Sequence, residues 1–305
     1  MKCIHCGSDS KLRERKDRRC PRCRHAFAFE PTADTLRVTD RQFKQAVDRV
    51  SGAGKVLFTD RQLWYEFNRR WMKPGFWRGL FGRLGGDRAP PPPGPPRVTF
   101  PEWERRFLRR WKEVHGDVAG LLPGRQAALP TLPKRVPADV AAFSFDRAVV
   151  TDTWDTAAML VANRFHFEHN CAVLSRDGYP EGIAGTVKEM LRRNPRLTVL
   201  ALHDASPGGC LLPLTLRDPE WFPGPEVRIV DVGLRPSTAR SLRVPALAAT
   251  PAQLPPRLAE ILSAEDVEWL ARGHRAELAA LRPAQVLRAA YQGIVAAGRA
   301  DGSES

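Results

Sequence analysis

Residues 145–210 read FDRAVVTDTWDTAAMLVANRFHFEHNCAVLSRDGYPEGIAGTVKEMLRRNPRLTVLALHDASPGGC. Three short apolar runs, at 148–150, 172–174 and 197–202, each end in polar residues. The first opens onto Asp152 and Asp155, the second onto Arg176-Asp-Gly-Tyr-Pro180, and the third onto His203-Asp204-Ala-Ser-Pro-Gly-Gly209. Strands that deliver polar side chains at their carboxyl ends, with helical stretches between them, predict an α/β fold. Its sheet should be mostly parallel, with the site on the strand-end edge.

The amino-terminal side reads differently. A capping threonine at 39 precedes Phe43, Ala46, Val47 and Val50 at helical spacing, and Gly52 and Gly54 break that pattern. Thr59-Asp60 caps a second helix carrying Leu63, Trp64, Phe67 and Trp71, and a third runs over 101–115 with Trp103, Phe107 and Trp111 on one face. Short helices joined by a Gly turn in a basic region suggest a helix-turn-helix or winged-helix-like module. The Pro-rich stretch 89–96 reads as a linker or extended loop. A second loop occupies 121–137, and the tail from Arg299 is expected to be disordered. The predicted organisation is a small ribbon over 1–30, a basic helical domain over 31–120, and an α/β domain with carboxyl-terminal helices over 137–298.

Charge separates these parts. Residues 1–30 hold nine Lys and Arg against four Asp and Glu, residues 31–60 five against four, and residues 61–111 twelve against four. The formal charge of +14 therefore lies entirely within the first 111 residues. A basic end on a neutral body is the electrostatic footprint of a polyanion partner, double-stranded DNA above all. Arg69, Arg70, Arg105, Arg106, Arg109 and Arg110 are the candidate phosphate contacts. With no run of eighteen apolar residues and no signal-peptide pattern, a cytoplasmic, nucleoid-associated protein is expected.

Cys3-x-x-Cys6 and Cys20-x-x-Cys23 are four of the six cysteines. Two such turns facing each other predict a four-thiolate structural zinc site in a segment too small to have a core of its own. His5 reads as a bystander, and Cys171 and Cys210 as small buried hydrophobes.

The order of the three strand-end motifs resembles the Toprim domain of topoisomerase VI A subunits and their meiotic double-strand-break relatives. In that family a Glu follows the first strand, Gly-Tyr-Pro the second and Asp-x-Asp-Pro-x-Gly the third, and the carboxylates hold magnesium. Here Thr151 stands at the glutamate and Ser206 at the second aspartate, leaving Asp204, with Asp152 or Asp155 as possible substitutes for the missing Glu. One carboxylate and two hydroxyls make a poor magnesium site. Arg61-Gln-Leu-Trp-Tyr65 is similar to the family's Arg-x-[Ile/Leu]-Tyr-Tyr segment. The resemblance makes Tyr65 the residue that would attack a DNA phosphate, with Arg61 one helical turn away to favour its phenolate. Val232-Gly-Leu-Arg-Pro-Ser237 resembles the turn after the Toprim motifs, and residues 274–281, HRAELAAL, resemble a carboxyl-terminal helix of the family. The ribbon and the Pro-rich stretch fall outside the family pattern.

Two functions follow. In one, the chain binds double-stranded DNA with weak or lost cleavage and works with partner subunits. In the other, it is an active metal-dependent DNA-cleaving enzyme, acting through tyrosine transesterification or as a nuclease. No P-loop occurs, so an ATPase would have to be a separate subunit. The resemblance also implies a homodimer. On this reading Asp204 is an exposed carboxylate whose removal changes stability little.

Overall fold

The computed structural model of the protein describes residues 1–32, 36–72, 96–124, 145–181, 184–192, 194, 197–222 and 227–301. The stretch 89–95 and most of the loop at 121–137 lie outside the described residues.

Four strands form one parallel sheet: β1 (Arg147–Thr151), β2 (Ala172–Ser175), β3 (Thr198–Leu202) and β4 (Arg228–Asp231), in the order β2-β1-β3-β4. The predicted α/β class is what the chain adopts. Alternation along each strand splits the sheet between two cores. Val149, Val173, Leu200 and Leu202 face a core shared with the amino-terminal helices, whereas Ala148, Val150, Leu174, Val199 and Ala201 face a second core capped by Leu212, Leu216 and Phe222. A long helix, Pro283–Asp301, lies across the first face. Gly293 permits its close approach, because a Cβ there would fall 2.5 Å from Val232 Cγ1. That helix runs past Arg299, so the expected disorder does not begin at that residue.

Helix α1 (Asp40–Val50) and helix α2 (Asp60–Asn68) both start at capping boxes, Thr39 with Gln42 and Thr59 with Gln62. A third helical run covers 100–115. Phe43, Phe67, Phe107 and Trp111 interlock between these helices. Trp64 and Tyr65 fall in the same buried cluster as Val149 and Leu200, so helices and sheet share one apolar interior. Among the described residues between 36 and 124, strand pairing is limited to one isolated bridge, Phe58 with Leu121.

The HRAELAAL segment departs from expectation. Instead of a helix it forms β6 (His274–Arg275), paired with β5 (Leu247–Ala248), followed by a short 3-10 turn at Leu278–Ala280. The cause is hydrogen bonding across the chain. Ala205 and Ala276 exchange both backbone bonds, at 2.8 and 3.0 Å, which commits the segment to extended backbone.

The first thirty residues hold two matching turns. Cys3 N–H bonds Ser8 O and Gly7 N–H bonds Cys3 O; likewise Cys20 N–H bonds His25 O and Arg24 N–H bonds Cys20 O. Gly7 and Arg24 both take positive φ, +72° and +61°, at equivalent places. The segment docks through Asp40, which is fully buried and accepts from Ala28 N (3.0 Å) and Phe29 N (2.9 Å), with His115 Nε2 at 2.7 Å.

Candidate functional site

Two sites emerge, one of sulfur and one of carboxylates. Cys3 and Cys23 place their Sγ atoms 3.8 Å apart, Cys6 and Cys20 3.6 Å, and all four lie within 4.8 Å of one another. A tetrahedral ion with metal–sulfur bonds of about 2.3 Å requires sulfurs roughly 3.8 Å apart. The four cysteines can therefore hold a metal ion. His5 stacks on His25 with ring centroids 4.8 Å apart and is not one of the four ligands. Cys171 and Cys210 are buried, as expected of small hydrophobes.

The carboxylate site lies where the strand ends meet α2. Asp152, just beyond β1, is buried; its Oδ2 accepts from Asp204 N at 2.9 Å, and its Oδ1 has no hydrogen-bond partner. Asp204 Oδ1 accepts from Leu278 N at 2.6 Å. Burial raises the pKa of Asp152 against the opposite pull of the Asp204 N–H, His203 and Arg176, and burial followed by the Asp152 charge raises that of Asp204 more strongly. Asp204 is therefore a structural acceptor and not the exposed carboxylate expected from sequence.

The two positions where the chain departs from the topoisomerase pattern are committed to the fold. The Thr151 hydroxyl donates to Thr153 O at 2.7 Å, and Thr151 is fully buried. Ser206 caps the turn Pro207–Cys210 by accepting from Gly209 N at 3.0 Å. Among the described residues, the cysteines are the one set that brings three or more metal-type donors this close together.

Tyr65 is 1 % exposed, and its hydroxyl has no hydrogen-bond partner. Arg61 lies near it but is held elsewhere. Its Nε and Nη2 bond the two oxygens of Glu277 at 2.7 and 2.6 Å, and its guanidinium stacks over Trp64 and Phe100. Burial, reinforced by the Glu277 charge, drives the Tyr65 pKa upward against the opposite pull of Arg61. The phenolate expected from the sequence is disfavoured here. A cleft of about 380 Å³ opens beside this pair, lined in part by Arg61, Phe100, Asp155, Thr156, Asp204 and Glu277. Sequence reasoning assigned Glu277 no role; its place in the HRAEL run was visible, but its Arg61 partner lies 216 residues away.

A second pairing escaped sequence reading. His203, at the end of β3, points Nδ1 at the Asp204 carbonyl (2.9 Å) and Nε2 at Asp231 Oδ1 (3.0 Å). Both partners are acceptors, so the ring carries both protons. Burial would lower its pKa, but the bond and charge of Asp231, with Cys210 adding to them, lift it to about 10. Burial likewise opposes ionisation of Asp231, yet His203, Gly233 N–H and Arg235 bring it down to about 2. Gly233 is required for this contact, since a Cβ there would meet the His203 ring at 2.2 Å.

The six candidate phosphate contacts divide. Arg69 donates to Ala280 O at 2.8 Å and pairs with Glu66, and Arg70 donates to Leu36 O and stacks over Trp71. Desolvation, and then Arg97, pushes the Arg70 pKa down to about 10. Arg106 pairs with Glu102 and Arg110 with Glu113. Arg105 and Arg109 are exposed.

No protein-family model matches the chain, and no curated protein matches it. No helix among the described residues is long and apolar enough to cross a membrane.

Proposed function

We propose that this protein binds double-stranded DNA through its basic amino-terminal part, is related to topoisomerase VI A subunits, and cleaves DNA weakly or not at all. The observation that carries the reading is the state of the would-be reaction centre. Tyr65 is walled into the core with its pKa raised, and Arg61 is engaged by Glu277. A nucleophilic phenol needs access to a phosphate and a lowered pKa, and Tyr65 has neither. The parallel order β2-β1-β3-β4, with motifs at the strand ends, supports the Toprim relationship. The charge confined to residues 1–111 supports a polyanion partner. Zinc is the ion we assign to the four cysteines, because four thiolates at these spacings suit its size and softness. A winged-helix role for the helices, a homodimer, a separate ATPase subunit and nucleoid association belong to the same proposal and rest on the resemblance.

The alternative is metal-dependent cleavage. One observation favours it: the unpartnered Asp152 Oδ1 beside Asp204 is an oxygen that a magnesium ion could use. Incubation with supercoiled plasmid and magnesium or manganese, read for binding and for nicking, decides between the two.

A further inference from the structure

Glu66 is a buried carboxylate met by three arginines. Its side chain is 2 % exposed. Arg49 Nε reaches Oε1 at 2.8 Å, Arg69 Nε lies 3.1 Å from Oε2, and Arg282 contributes Nε to Oε2 at 3.0 Å and Nη2 to Oε1 at 3.2 Å. The three come from different places: the last turn of α1, the residue after α2, and the turn before the long helix 283–301.

One negative charge cannot balance three guanidiniums. Among the described residues no second acid pairs with any of the three. A fold-stabilising pair needs a single arginine, and each further one adds like-charge repulsion. The outer edges remain open, with side chains 48 %, 40 % and 40 % exposed for Arg49, Arg69 and Arg282. Arg49 spends one donor on Glu66 and Arg282 two, leaving several directed to solvent. Glu66 fixes the side chains beforehand, which lowers the entropy lost on gripping an anion.

We infer that Arg49, Arg69 and Arg282, held by Glu66, form a clamp for phosphodiester groups of a DNA backbone. The clamp rests on the DNA-binding reading and adds two contacts, Arg49 and Arg282, to the candidates drawn from sequence.

The test uses the whole 305-residue chain, loaded with zinc, and a labelled DNA duplex, titrated at several salt concentrations between about 50 and 200 mM. Arg49→Gln and Arg282→Gln should each reduce the steepness of log affinity against log salt by roughly 0.9, and the double variant by about twice that. Each single variant leaves two arginines on Glu66, and thermal melts confirm that the fold is kept. Arg272→Gln, which removes an exposed arginine paired with Glu268, should leave the slope unchanged. Wild-type slope in both folded single variants overturns the clamp while leaving DNA binding intact. So does an effect confined to inorganic phosphate, measured as a competitor. Failure of the wild type to bind duplex at all would end the DNA reading and the clamp together.

Discussion

His203 Nε2 stands 3.0 Å from Asp231 Oδ1, a buried imidazolium–carboxylate pair that fastens the end of β3 to the end of β4. The His203 pKa, raised from 6.5 to about 10, gives stability that is fully present below pH 6.5 and lost as pH rises through 10. The Asp231 pKa, lowered from 3.8 to about 2, gives stability present above pH 3.8 and lost as pH falls through 2. The pair is therefore at full strength between those limits. At about 1.4 kcal/mol per pKa unit, wild type should lose on the order of 2–4 kcal/mol more than Asp231→Asn between pH 6.5 and 10. Chemical denaturation at the two pH values measures this, and parallel pH profiles would show that the pair carries no such charge.

Gly233→Ala should be destabilising by about 1–3 kcal/mol, because the new methyl must displace the His203 ring. A melting temperature equal to wild type would mean that the β4 turn gives way without disturbing the pair.

Asp204 separates charge from hydrogen bonding. Asp204→Ala leaves Leu278 N–H without its acceptor and should cost roughly 1–3 kcal/mol. Asp204→Asn keeps an acceptor and removes a charge that burial and Asp152 disfavour, so it should be neutral or stabilising. Equal losses in both variants would contradict this assignment.

The α/β class, the strand-end motifs, the caps of α1 and α2 and the facing CxxC turns were all legible in the sequence. Each is written locally, in alternation, in a Thr-x-x-Gln box or in a fixed spacing. What sequence did not reveal depends on long-range partners. The burial of Tyr65 needs the sheet face as well as its own helix, and Arg61 lost its expected role to a carboxylate far along the chain. The HRAEL segment has helical composition, yet it is extended because Ala205 claims its backbone. Thr151 and Ser206 read as missing ligands; in the fold their hydroxyls have other partners.

Removing zinc should unfold the two cysteine turns within residues 1–27 and spare the rest, because Ala28 and Phe29 already belong to the main core. Cys3, Cys20 and Phe27 form a small core apart from the main one. With a strong chelator under reducing conditions, we expect loss of about one zinc per chain and weaker duplex binding, since nine Lys and Arg lie in residues 1–30. Less than half an equivalent of zinc in the purified protein would contradict the assignment.

The most direct measurement compares wild type with Tyr65→Phe on supercoiled plasmid, with magnesium or manganese present. The account predicts that both bind the plasmid, that neither nicks it appreciably, and that Tyr65→Phe is at least as stable as wild type because it removes a buried hydroxyl without a partner. Robust metal-dependent cleavage by wild type, abolished by Tyr65→Phe, would contradict it and make Tyr65 a working nucleophile.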